Sequence, residues 1–159
     1  MLLIMVQHTS AGRELTALIL EVFQSNGALL AAGDELVGDL GLTSARWQVL
    51  GALALEGRPL TVAQIGRRMG LSRQAVQRVV NDLVADDVLA FENNPDHRRA
   101  KLVALTERGQ AVYSQADARQ IDWVNELGKG ISPQDLQNVR ELLALIGQRL
   151  KRTSDKWEG

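Results

Sequence analysis

Leu71-Ser72-Arg73-Gln74-Ala75-Val76-Gln77-Arg78-Val79-Val80-Asn81-Asp82-Leu83 is the stretch that decides the fold. At 100° per residue Val76, Val80 and Leu83 share one helical face, with Val79 beside them. Gln74, Gln77, Arg78 and Asn81 gather on the opposite face. Ser72 stands where an N-cap belongs. Upstream, Thr61-Val62-Ala63-Gln64 has the form of a capping box, in which the hydroxyl reaches the N3 amide and the glutamine side chain reaches back. It opens a short helix with Val62, Ile65 and Met69 inward, and Gly70 ends it. Helix, glycine turn, helix over 61–86 is a helix-turn-helix, whose second helix is shaped to enter a major groove.

The outward residues suit such a groove. Gln and Asn can pair bidentately with adenine, and Arg with guanine. Arg73 lies at the edge of that face, and the Ser72 end offers backbone amides to a phosphate. The whole chain has a formal net charge of −1, yet residues 61–81 contain Arg67, Arg68, Arg73 and Arg78 and no acid. A solvated face usually mixes signs. An ordinary exposed helix in a bundle would share the packing geometry, so the residues downstream of Leu83 have to separate the two.

After Asp86-Asp87 the period changes. Val88–Glu92 and Lys101–Leu105 read as two short strands, joined by Asn93-Asn94-Pro95-Asp96-His97-Arg98-Arg99-Ala100. Hairpin loops commonly have about 2–5 residues, so this one is long, and long loops are often functional. Arg98 and Arg99 near its end, with Lys101 behind them, make a basic wing able to enter a minor groove. Asp96 would be repelled by phosphate. It is assigned an internal task, either bonding loop amides or holding Arg98.

The flanks read as helices. Leu15, Leu18, Ile19, Val22 and Phe23 give residues 11–37 a helical stripe, and Gly38 and Gly41 mark its stop. Thr43 caps a helix of about 43–55 that carries Trp47, Val49, Leu50 and Leu53. Thr106 caps another that runs to about Leu127. Ser132-Pro133 opens the last, with a near-heptad stripe of Leu136, Val139, Leu143, Ile146 and Leu150. The fold class expected is mainly α with a small β-hairpin wing: a winged helix-turn-helix over 43–106, flanked by helices within 1–40 and 107–159, in one domain of 1–159.

Composition excludes other classes. The chain has 159 residues, no cysteine and two histidines far apart, His8 and His97. Disulfides, thiol redox sensing and cysteine nucleophiles are absent, and a zinc site lacks ligands. No phosphate-cradling glycine loop and no nucleophile–base arrangement points to an enzyme. No cofactor is expected. The apolar start, residues 1–6, has neither the basic region nor the cleavage site of a signal peptide. It is expected to be a tail, or an arm on a partner subunit. No run of about 20 apolar residues for a membrane span is read in the sequence, and the protein is expected in the cytoplasm.

Residues 71–83, Asn94-Pro95-Asp96-His97-Arg98-Arg99-Ala100 and Val103-Ala104-Leu105-Thr106-Glu107-Arg108-Gly109 together resemble the winged helix-turn-helix of the MarR family, the multiple antibiotic resistance type regulators. The Asp-x-Arg-Arg wing followed by Leu-Thr-x-x-Gly is the most specific part, and the likeness spans roughly 43–112. The resemblance implies a homodimer on a pseudo-palindromic duplex DNA operator, with the helices of 1–40 and 107–159 interlocking as a helical dimerisation lobe, Arg98 as the minor-groove arginine and Asp96 as its supporting acid. It implies a repressor that a small, often aromatic, ligand releases. The DNA-binding set is Ser72, Arg73, Gln74, Gln77, Arg78, Asn81, Arg98, Arg99 and Lys101. Trp47 could line a ligand cleft, with Phe23, Arg46 or Trp123, although a tryptophan at helical spacing is usually core. Two positions depart from the family pattern: Asp87 where Gly is frequent, and Phe91 near a position where a basic residue is common. The alternative function is a winged helix used only for protein assembly, and salt-insensitive behaviour toward DNA would mark it.

Overall fold

The computed structural model describes residues 8–157 of the chain. The possible arm at residues 1–6 lies outside them. Helix α1 (Ser10–Val37) runs into a 3-10 turn (Gly38–Leu40), followed by α2 (Ser44–Glu56), β1 (Leu60–Thr61), α3 (Val62–Met69) and α4 (Arg73–Ala85). Then come β2 (Leu89–Glu92), β3 (Leu102–Leu105), α5 (Glu107–Leu127) and α6 (Pro133–Trp157). The caps expected from the sequence are made. Thr43 Oγ1 accepts from the Arg46 amide and Ser72 Oγ from the Ala75 amide, and Thr61 and Gln64 complete the capping box. Gly70 closes α3 at φ 66°, a left-handed conformation that glycine adopts without steric cost.

The sheet has three strands, ordered β1-β3-β2 and antiparallel throughout. The sequence pattern marks β2 and β3 but not β1. That strand is two residues long, Leu60 facing Val103 and Thr61 facing Leu102, too short to show a period of two. Thr61 serves it and the α3 cap together.

Two compact units divide the chain after Gln120, within α5. The first holds the core. Leu50 and Val49 of α2, Ile65 of α3, Val76, Val80 and Leu83 of α4, and Leu60, Leu89 and Val103 of the strands are all buried. Burying each such side chain contributes about 1.5–3 kcal/mol. Packing therefore fixes which face of α4 turns inward, and the polar face is left to solvent.

The N-terminal helix departs from expectation in one respect. Ser10–Leu40 is long and apolar enough, by length and composition, to cross a bilayer, with a mean hydropathy of 1.4 over its most apolar window. The sequence does not show this as one run because Glu21 and Gln24-Ser25-Asn26 interrupt it. The far end of α1 is tied to α2. Ser44 Oγ donates to the Leu30 carbonyl at 2.6 Å, the Ser44 amide donates to Asp34 at 2.6 Å, and Val37 is fully buried.

The second unit contains the end of α5 and α6. Ser132 caps α6, accepting from the Asp135 amide at 3.4 Å, with Pro133 at the first helical position. Leu136, Val139 and Leu143 on α6 are exposed, as are Leu15, Ile19 and Phe23 on α1 in the first unit.

Candidate nucleic-acid interface

The polar face of α4 is outward. Arg73, Gln74, Arg78 and Asn81 are exposed and Gln77 is half-buried. Gln77 Nε2 donates to Asn81 Oδ1 at 2.9 Å across one helical turn, so the two amides present themselves as a pair. Ser72 Oγ accepts the Ala75 amide in the α4 cap, which leaves its O–H proton, beside the backbone amides of the helix start, to meet a phosphate.

Arg98, Arg99 and Lys101 are exposed on the wing. A cleft of about 700 Å³ lies between wing and helices, and Arg73, Gln77, Phe91, Arg99 and Lys101 are among its walls. Four of the sequence-predicted residues thus meet around one concavity. Gln74, Arg78, Asn81 and Arg98 lie outside its walls. Lys101 Nζ sits 5.6 Å from the Phe91 ring centroid, within cation–π range. The position that lacked a basic residue of its own therefore receives a cation from the residue that precedes β3.

The wing loop is closed by a residue to which the sequence pattern assigns no role. Asn94 Nδ2 donates to the Ala100 carbonyl at 2.8 Å, and Asn94 Oδ1 accepts from the Asp96 amide at 3.1 Å. Among the described residues no hydrogen bond or ion pair engages the Asp96 carboxylate. Of the internal task expected of Asp96, bonding loop amides or holding Arg98, the first is carried out here by Asn94. An Asn-Pro-Asp turn offers two side chains able to form an Asx turn, and the first of them does so.

The local charge is also redistributed. Arg68 pairs with Glu56, which takes Arg58 as well at 2.8 Å. Glu56 lies outside the 61–81 window, so a count along the chain could not see it. Arg46 departs from the expected ligand cleft. Its guanidinium donates to Asp86 at 2.9 Å and to the Gly41 carbonyl at 3.2 Å, and stands 3.9 Å from Asp82. It clamps the C-terminal end of α4 to the start of α2.

Trp47 packs against the core and also lines a second cleft, of about 740 Å³. Its neighbours there include Arg68, Met69, Tyr113, Asp117 and Gln120. Phe23 is 69% exposed on α1 and is not among the walls. Trp123 is half-buried beyond Gln120 in the second unit, and the aromatic side chain that α5 brings to this cleft is Tyr113. The spacing of Tyr113, Asp117 and Gln120, four and then three residues, marks one helical face and was the available signal. Burial, and then the Asp117 charge, push the Tyr113 hydroxyl above its ordinary pKa.

Comparison with known proteins agrees with this architecture. The model of the MarR family matches residues 40–100. An uncharacterized protein of Mycobacterium tuberculosis is 40% identical over 87% of this chain and 95% of its own length. The HTH-type transcriptional regulator TcaR of Staphylococcus aureus is 30% identical over 86% of this chain and 91% of its own. Among solved structures, Bordetella bronchiseptica BpsR, whose DNA binding is regulated by 6-hydroxynicotinic acid, superposes with a TM-score of 0.69 at 23% identity. That match covers 84% of this chain and 98% of BpsR. With its three-stranded wing, its outward α4 face and these relatives, the chain belongs to the MarR family of transcription regulators.

Proposed function

We propose that the protein is a sequence-specific DNA-binding regulator, a homodimeric repressor that a small aromatic ligand releases from a pseudo-palindromic operator. The observation that carries this reading is the cleft where Arg73 and Gln77 of α4 face Arg99 and Lys101 of the wing. Base-reading amides and phosphate-seeking cations there share one surface. Arg78 and Arg98 extend that surface, Arg98 as the wing's minor-groove arginine. The exposed apolar residues of α1 and of α6 support a second copy as their cover. The Trp47–Tyr113 cleft is the proposed ligand site, in keeping with the regulation of BpsR by a small heteroaromatic molecule. The molecule works where DNA is, in the cytoplasm.

The test is a mobility shift on a duplex selected for binding, repeated over a range of salt. Affinity should fall steeply with salt, because phosphate neutralisation releases counterions. Arg98→Ala should weaken operator binding by about 1–3 kcal/mol. Salt-independent or absent DNA binding would favour a purely protein-binding winged helix.

A further inference from the structure

We infer that the Trp47–Tyr113 cleft selects a cationic aromatic ligand, one with a protonated amine, and that Asp117 is its counter-ion. The inference rests on the reading of this cleft as the ligand site and adds the charge of what enters it. The walls offer two ionic groups, Asp117 from α5 and Arg68 from α3. They are not equivalent. Arg68 already pairs with Glu56, so an entering anion would have to compete with a carboxylate at contact distance. Asp117 is half-buried and carries no hydrogen bond or ion pair among the described residues. A partly desolvated carboxylate without a partner gains most from a cation that brings its own N–H donors.

The remaining walls suit the same ligand. Trp47 and Tyr113 present aromatic rings, which attract a cation through their quadrupoles and stack with an aromatic body. Met69 adds a polarisable, adaptable side chain, and Gln120 stands three residues beyond Asp117 with both donor and acceptor. The Asp117 charge is felt inside the cleft, since it contributes to holding the Tyr113 hydroxyl protonated.

The experiment titrates the full-length protein calorimetrically with three probes of one shape: 1-naphthylmethylamine, 1-naphthylmethanol and 1-naphthoate. The amine should bind about tenfold or more tighter than the alcohol or the carboxylate. Asp117→Asn should remove that preference and Asp117→Lys should turn it toward naphthoate, with folding of both variants verified by circular dichroism and melting. Wild-type protein that prefers naphthoate, that binds all three alike, or that does not bind the amine saturably would overturn the inference. So would an amine preference that survives Asp117→Asn. Operator release is measured separately: an amine that binds with the expected charge dependence but leaves operator affinity unchanged supports the assignment of Asp117 and defeats only the reading of the cleft as a release site.

Discussion

The hydroxyl of Thr106 lies 2.8 Å from the carbonyl oxygen of Asp87, which is the one non-glycine residue at positive φ, 58°, among the described residues. Thr106 Oγ1 is also 3.0 Å from the Val88 carbonyl and accepts the Gly109 amide at 2.9 Å. One side chain thus caps α5 and pins the turn that leads from α4 into the wing. A Cβ on Gly109 would stand 2.0 Å from the Val88 oxygen, so Leu-Thr-x-x-Gly encodes a close crossing of helix start over strand start.

That crossing makes the first prediction. Gly109→Ala forces backbone against backbone and should destabilise the fold by about 1–3 kcal/mol, the cost typical of overpacking. Asp87→Ala should lose about 1 kcal/mol by placing alanine in the left-handed region, whereas Asp87→Gly should be at least as stable as the parent. Urea melts of the three variants decide it. An unchanged midpoint for Gly109→Ala would mean that the α5 start does not cross Val88 this closely.

The second prediction concerns pH. The Arg119 guanidinium forms a two-pronged pair with Asp39, with Nη2 to Oδ2 at 2.8 Å, and donates to the Leu36 carbonyl at 2.9 Å. The hydrogen bond from Arg119 is the chief reason that the Asp39 carboxyl lies below its ordinary value of 3.8; desolvation opposes it, and the Arg119 charge adds a lesser lowering. A carboxyl with a lower pKa folded than unfolded stabilises the fold above the unfolded value, and that contribution fades as pH falls through the folded one. Asp39→Asn should therefore melt below the parent at pH 7. The gap should start to close below about pH 4, near the unfolded carboxylate value. Because the pair is solvent-screened the gap is small, and a constant gap down to pH 2 would contradict the pairing.

The third prediction separates sequence reading from general affinity. Gln77 and Asn81 are joined by a 2.9 Å hydrogen bond, so removing either frees the other to reorient. Gln77→Ala should change which bases are preferred more than it changes affinity for random DNA. The double variant with Asn81→Ala should be non-additive, as expected for residues in direct contact. Equal losses on selected and random duplexes, adding simply, would remove the pair from base recognition.

The helix-turn-helix was legible because its signals are local. Caps, a glycine turn and a 3.6-residue apolar stripe all lie within residues 61–83. What the sequence hid depends on partners far along the chain. Glu56 neutralising Arg68, Arg46 held by Asp86 rather than facing a ligand, and Asp117 sharing a cleft with Trp47 are all contacts between elements that only tertiary packing brings together. In the wing the signal was present but ambiguous. Asn94 and Asp96 could each make the turn, and geometry chose the former.

The last prediction tests the apolar face of α6. Leu143 is 39% exposed, and Leu136 and Val139 are more so, so these side chains contribute only part of their area to their own chain. A second copy would cover the rest. Leu143→Glu should then weaken the dimer by about 10–100-fold, the equivalent of losing most of one buried leucine at the interface. Helix content at concentrations where both proteins are monomeric should stay the same, because no core contact is lost. Sedimentation velocity over a dilution series measures this directly. A parent protein that sediments as a monomer at micromolar concentration would show that these leucines face some other partner.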